Sequence, residues 1–85
     1  MAVQVVDYQE TYKLICDDCR RRWAVVEERC GKVYSLDAHH ARHAPCTPEG
    51  MEQVVEPDGW CDEKAARRCF QEAVNGERYY SQILW

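Results

Sequence analysis

Two pairs of metal-binding residue types constrain this chain of 85 residues more than any other feature of its sequence. Cys16 and Cys19 form a C-x-x-C pair, and His39 and His43 have the H-x-x-x-H spacing that places two imidazoles one helical turn apart. Thiolate and imidazole are the ligands that zinc prefers, and four of them close a structural site with no open position for a substrate. The sequence therefore predicts one structural Zn2+ ion and no enzymatic activity.

The cysteines also permit a disulfide framework, since a chain this short buries only roughly 60–65% of the surface that it exposes when unfolded and small scaffolds often add a metal or disulfides. The first residues lack a basic segment followed by an apolar run, so they do not resemble a signal peptide. This favours a cytoplasmic, nuclear or nucleoid-associated protein that is not secreted, with reduced thiols and a metal site. No stretch approaches the roughly 18 apolar residues of a membrane helix.

Between the two pairs, the sequence predicts a hairpin followed by a short helix. Segments 8–15 and 22–28 contain the β-branched and aromatic residues typical of strands. Gly31 indicates a turn, after which Val33 and Tyr34 form a short returning strand. Residues 36–44 are predicted to be helical up to Pro45, which disfavours helix in the preceding residue.

Residues 8–46 resemble a two-cysteine, two-histidine zinc finger, which pairs a C-x-x-C hairpin with an H-x-x-x-H helix. The residues that match the family are Cys16, Cys19, Trp23, Leu36, His39 and His43. The resemblance implies that Trp23 and Leu36 pack beneath the metal. The chain departs from the family in having nineteen residues between Cys19 and His39, where the family has about twelve, and a longer hairpin would accommodate them.

Other sets of metal ligands are possible in the same segment. His43 and Cys46 form an H-x-x-C pair that would complete a zinc-ribbon-like site, and His40 and His43 form a third pair. The cysteines outside these sets are Cys30, Cys61 and Cys69. Cys69 falls in an apolar helical stripe and is predicted to be a core residue, whereas Cys61 lies near a helix start, where the helix dipole favours thiolate.

The second part of the chain, residues 47–85, is predicted to pack on the first as part of one domain. Residues 49–63 contain six acidic residues and no basic ones, which is typical of a solvated acidic loop. Apolar residues at helical spacing predict an amphipathic helix over 62–74, with Asn75 and Gly76 as its exit. A final strand is predicted over 79–85. The predicted fold class is therefore α+β, a small zinc-stabilised domain.

Charge and motifs favour binding over catalysis. The net charge of −4 is unfavourable for generic binding to nucleic acid or to an anionic membrane. We therefore expect a small zinc-binding module that binds a protein partner and acts as a regulator or an adaptor. The alternative, implied by the zinc-finger resemblance, is nucleic-acid binding through Arg20, Arg21, Arg22, Lys32 and Arg42.

Overall fold

The α+β prediction is confirmed by a computed structural model, which describes residues 3–36, 43–56 and 59–76. These residues form an antiparallel sheet of five strands and two helices. The elements are β1 (Val3–Gln9), β2 (Tyr12–Asp17), β3 (Trp23–Arg29), β4 (Lys32–Ser35), β5 (His43–Pro45), α1 (Pro48–Val55) and α2 (Glu63–Val74). Within the described ranges, no helix is long and apolar enough to cross a membrane.

The sheet is a meander in which each strand pairs with its neighbour in the sequence, in the order β1-β2-β3-β4-β5. Strands β3 and β4 are joined by Cys30 and Gly31, whose φ angles of 54° and 80° fit a two-residue type I′ turn. Strands β1 and β2 are joined by Glu10 and Thr11, with Glu10 at φ 59°. The predicted single strand over 8–15 is therefore wrong, because this tight turn divides it.

Helices cover the sheet on both faces, which we call the α1 face and the α2 face. The buried cluster on the α1 face contains Val3, Ile15, Ala24, Val26, Val33, Ala44, Met51, Val54 and Val55. The cluster on the α2 face contains Leu14, Cys16, Trp23, Val25, Ala66 and Phe70. Alternate residues of β2 and β3 enter the two clusters, which explains why these strands are continuous apolar runs in the sequence.

Helix α1 begins at Pro48, after a Thr47 side chain that accepts a hydrogen bond from the Gly50 amide at 3.0 Å. The first part of the acidic segment, as far as Val55, is therefore helix rather than the predicted loop. Gly50 is required because a Cβ there would overlap the Pro45 carbonyl oxygen. Since α1 contacts both edge strands as well as β3 and β4, the sheet must curve around it.

Helix α2 confirms the amphipathic helix predicted over 62–74. Its N-terminus is capped by the Asp62 carboxylate, which accepts from the Ala65 amide at 2.7 Å. Its C-terminus ends at Asn75 and at Gly76, which has a φ of 79°. This helix contacts β2 and β3 and thus lies over one half of the sheet.

The helix predicted over 36–44 is wrong at its C-terminal end, because His43 and Ala44 lie on β5. These residues pair with Tyr34 and Val33 of β4, and Ala44 is buried in the cluster on the α1 face. Nine residues have little helical stability of their own, so strand pairing and burial outweigh the local preference. Residues 37–42 and the strand predicted over 79–85 lie outside the described residues.

Candidate functional site

The two cysteines of the C-x-x-C pair lie in different environments. Cys16 is fully buried on β2, packed in the cluster of the α2 face. Its burial raises the pKa of the Cys16 thiol, which therefore remains protonated at neutral pH. Cys19 lies in the following loop and is exposed to solvent. One thiol thus belongs to the apolar core and the other faces water, which is not the arrangement of two ligands of one metal ion.

Asp17, which lies between these cysteines, stabilises the loop that the sequence analysis assigned to a metal. Its carboxylate accepts hydrogen bonds from the amides of Arg21 at 2.9 Å and Arg22 at 3.3 Å, and from the Arg22 guanidinium at 3.3 Å. The Asp17 carbonyl also accepts from the Arg20 amide at 3.0 Å. Burial by itself raises the pKa of Asp17, but these hydrogen bonds outweigh it and hold the pKa below its ordinary value.

His43 lies far from the cysteine pair. It is exposed on β5 and contacts Tyr34, with 5.6 Å between the ring centroids. Strands β2 and β5 are three positions apart in the sheet, or about 14 Å at the usual strand spacing. Within β2, moreover, Cys16 is four residues from Tyr12, the residue in register with His43 across the sheet. Since zinc binds sulfur and nitrogen at about 2.0–2.3 Å, Cys16 and His43 do not share one ion in this arrangement.

The alternative pair, His43 and Cys46, is divided between the two faces of the sheet. His43 is on the α2 face, in register with Tyr34, whereas Cys46 packs against the cluster on the α1 face. Burial raises the pKa of the Cys46 thiol, and the neighbouring Glu28 carboxylate raises it further. Both effects oppose formation of the thiolate that a metal would bind.

Cys16, Cys19 and His43 of the predicted ligand set lie among the described residues. Among them, no three His, Cys, Asp or Glu side chains are grouped closely enough to hold a metal ion. Trp23 and Leu36 do contact a common cluster, as the zinc-finger resemblance implies, but Ala66 and Phe70 of the C-terminal helix complete it. His39 and His40 lie outside the described residues, so the four-ligand set Cys16, Cys19, His39 and His43 stays a prediction.

The remaining cysteines lie at separate positions in the fold. Cys30 is exposed in the β3–β4 turn, and Cys69 is partly buried on α2, against the core as predicted. Cys61 forms an isolated bridge with Trp23, in which each amide donates to the other's carbonyl at 2.8 Å. Its thiol donates to the same Trp23 carbonyl at 3.4 Å. Cys61 therefore helps to attach the start of α2 to the sheet.

The predicted basic patch is dispersed. The Arg22 guanidinium binds the carboxylates of Asp17 at 3.3 Å and Glu56 at 3.4 Å, and it lies 4.9 Å from the ring of Trp60. Lys32 begins β4, at the opposite end of β3 from the 20–22 loop. Arg20 and Arg21 remain together in that loop, and Arg42 lies outside the described residues.

An acidic surface that the sequence analysis treated as a loop has a defined geometry. Glu49, Glu52, Gln53 and Glu56 line one shallow hollow on the outer side of α1. The opposite side of this helix is buried, with Met51, Val54 and Val55 against the sheet. The spacing of these three apolar residues, i, i+3 and i+4, is the sequence signal for this helix. We call Glu49, Glu52 and Glu56 the acidic row.

No protein-family model, curated protein or solved structure matches the chain.

Proposed function

We propose that this protein is a small protein-binding module whose acidic row docks a basic partner. The observation that carries the proposal is the fixed, one-sided presentation of Glu49, Glu52 and Glu56 along α1. Because the other side of the helix is anchored in the core, the backbone that carries these side chains needs no ordering before they bind. Preorganised charge of this kind raises association rates and selects partners of opposite sign.

The acidic row is not explained by helix stability. Acidic side chains are favourable near a helix N-terminus and unfavourable near its C-terminus. Glu52 and Glu56 lie at the C-terminal end of α1, whose last turn contains no basic residue. The spacings Glu49–Glu52 and Glu52–Glu56 are also the i,i+3 and i,i+4 spacings at which like charges repel. Glu56 is stabilised by the Arg22 guanidinium at 3.4 Å and by the Trp60 indole, which donates to it at 2.9 Å. The cost therefore falls on Glu49 and Glu52, and it is consistent with selection for binding.

Nucleic-acid binding through Arg20–Arg22 is the weaker candidate. One of the three guanidinium groups, that of Arg22, already contacts two carboxylates and an indole ring. Any nucleic acid that approached it would also meet Glu56, which would repel phosphate.

The test compares two charge reversals of equal size. Binding of a fluorescent arginine-rich peptide is measured by anisotropy for the wild type, for the double variant Glu49→Lys/Glu52→Lys and for the control Glu10→Lys/Glu72→Lys. Glu10 and Glu72 lie away from α1, in the β1–β2 turn and on α2. We expect the first pair to weaken binding about tenfold or more at low salt, and the control pair to weaken it only slightly.

Stability provides a second readout. Because Lys at position 52 complements the helix dipole, Glu52→Lys should raise the free energy of unfolding by roughly 0.3–1 kcal/mol while it weakens binding. Equal weakening by both charge-reversed pairs would show that only net charge matters and would overturn the proposal. Tight binding of a DNA oligonucleotide that is lost in Arg20→Ala/Arg21→Ala would favour the nucleic-acid alternative.

A further inference from the structure

A guanidinium group of the same chain already lies at one end of the acidic row. The Arg22 Nη1 atom lies 3.4 Å from Glu56 Oε2, and the Arg22 guanidinium carbon lies 4.9 Å from the centroid of the Trp60 ring. The Trp60 indole N–H donates a hydrogen bond to the same Glu56 oxygen at 2.9 Å. A carboxylate and an indole ring therefore contact one guanidinium, and we call Glu56 and Trp60 together the guanidinium site.

Both residues of the guanidinium site are held in place by the fold. Glu56 is the C-cap of α1, and its amide continues the hydrogen bonding of that helix. Trp60 packs against the cluster on the α1 face and precedes Cys61, which forms the isolated bridge with Trp23. These contacts do not involve the Arg22 side chain, so we expect the site to keep its position when another guanidinium replaces that of Arg22.

Arg22 has a second partner to which it can remain bound. Its Nε atom lies 3.3 Å from Asp17 Oδ2, and Asp17 is a buried carboxylate that also accepts from amides of its own loop. The side chains of Arg22 and Glu56 are 37% and 38% exposed, and ion pairs of this exposure are weak and open to competing cations. The Arg22–Glu56 contact can therefore break while the Arg22–Asp17 contact persists.

The chemistry of the guanidinium site favours arginine over lysine. A guanidinium is planar, and it stacks on an aromatic ring while its N–H groups bind a carboxylate. An ammonium is a compact, strongly hydrated charge that meets these two requirements less well. The ligand class that fits this site is therefore the arginine side chain.

We propose that an arginine of the basic partner binds Glu56 and Trp60 in place of Arg22, which acts as an internal competitor. The inference rests on the proposed function, since Glu49 and Glu52 would bind neighbouring basic residues of the same partner. A partner with one basic residue only exchanges one guanidinium for another, whereas a partner with several gains contacts that Arg22 does not make. Arg22 thus raises the number of basic residues that a partner needs.

Removal of the competitor is the first test. Anisotropy of the fluorescent arginine-rich peptide is measured with the wild type, with Arg22→Gln and with the matched control Arg67→Gln. Arg67 makes the same kinds of contact on α2, because its Nε lies 2.8 Å from Glu63 and its guanidinium lies 5.3 Å from the ring of Trp23. Since both variants lose one positive charge, we expect about three- to tenfold tighter binding for Arg22→Gln and less than about twofold for Arg67→Gln. An equal gain in the two variants would overturn the inference.

A lysine-rich peptide of the same length and charge tests the ligand class. We expect it to bind Arg22→Gln about threefold or more less tightly than the arginine-rich peptide does, because lysine stacks less well on Trp60. Trp60→Leu in the same background should remove most of this preference, and urea midpoints show whether each variant is folded. Equal affinities of Arg22→Gln for the two peptides would overturn the choice of arginine.

Indole N–H signals report on the guanidinium site without a peptide. In a proton–nitrogen correlation spectrum of Arg22→Gln, millimolar N-acetyl-arginine amide should shift the signal of Trp60, which Trp60→Phe assigns. The Trp23 indole donates instead to the Arg20 carbonyl at 2.9 Å, so its signal should not move. N-acetyl-lysine amide should move neither signal.

The two readouts separate this inference from the proposed function. Tight peptide binding with no gain in Arg22→Gln, together with an unchanged Trp60 signal, would overturn the inference and leave the acidic row as the docking surface. A Trp60 signal that shifts with the arginine amide, in a protein that binds neither peptide, would support the guanidinium site and overturn the proposed function.

Discussion

Within residues 3–36, 43–56 and 59–76, the two faces of the sheet differ in how completely the helices cover them. On the α1 face, one short helix contacts β1, β3, β4 and β5, and nine buried residues from strands and helix form a single cluster. On the α2 face, a longer helix contacts two strands, and its cluster contains six buried residues. The longer helix therefore covers less of the sheet, because the sheet curves toward α1 and away from α2.

This difference separates two kinds of surface. The α1 face has a closed core, and its helix displays a rigid acidic exterior. On the α2 face, no described helix covers the contacts that Tyr34 makes with Arg29 and His43. We infer that charge-based docking belongs to the first face.

The largest expected effect is that of Phe70→Ala, which removes the main aromatic contact between α2 and the sheet. Phe70 and Met51 are similarly buried, at 4% and 5% exposure, one on each helix. We expect Phe70→Ala to cost roughly 3–5 kcal/mol and Met51→Ala roughly 2–4 kcal/mol, measured by urea unfolding. Hydrogen exchange would show whether Phe70→Ala exposes α2 amides alone. Equal loss of protection in α1 would mean that the two faces unfold as one unit.

Substitution of one glycine by alanine at each helix tests the same comparison, with smaller expected effects. Gly50→Ala places a methyl group against the Pro45 carbonyl, whereas a Cβ at Gly76 meets no atom and costs only its positive φ. We expect a loss of about 2–3 kcal/mol for Gly50→Ala and about 1 kcal/mol for Gly76→Ala. Thermal unfolding measures both. A stabilising effect of Gly50→Ala, as helix propensity alone would give, would contradict the close α1–β5 contact.

Asp17 links the β2–β3 loop to the end of α1 through Arg22, and its contribution should depend on pH. Because the pKa of Asp17 is lowered in the folded state, the stabilisation is present above the ordinary value of 3.8 and is lost as the pH falls through the lower folded value. We expect Asp17→Asn to have a lower urea midpoint than the wild type at pH 7. The two midpoints should converge below pH 3.8. A constant difference across this range would assign the effect to shape rather than to charge.

The smallest expected effect is that of a metal chelator. Since Cys16 is packed in the core and lies far from His43, we expect the circular dichroism and the urea midpoint to be unchanged by EDTA. Native mass spectrometry of protein purified without added metal gives the occupancy directly. One zinc per chain, with structure lost on its removal, would instead restore the ligand set predicted from the sequence.

Local signals in the sequence were sufficient to predict the elements that have their own caps, turns or apolar patterns. Helix α2 has a capping aspartate, an apolar stripe and a glycine exit, and all three are visible in the sequence. Strand β3 and the turn at Gly31 were also predicted, because a run of apolar residues followed by a glycine turn is a strong local signal. Contacts with distant parts of the chain are not needed to decide whether these segments form a helix, a strand or a turn.

The errors came from residues whose role depends on the rest of the fold. The segment 49–63 was predicted to be a loop, yet α1 occupies its first part, where Gly50 lets the Pro45 carbonyl approach. His43 has helical spacing from His39, but pairing with Tyr34 makes it part of a strand. Between Cys16 and Cys19, the residue that closes the loop is Asp17, whose hydrogen bonds no spacing rule predicts.

The meander order of the strands has a consequence for how the chain reaches its native state. Each strand can begin to pair with the next one at the connection between them. Such local pairings form quickly because little loop entropy is lost. The packing of the helices is different, since α1 on β1 and α2 on β2 join segments about forty or more residues apart in the sequence. Docking of the helices on the sheet is then the late event, and slow-exchanging amides should appear first in the β2–β3–β4 hairpins.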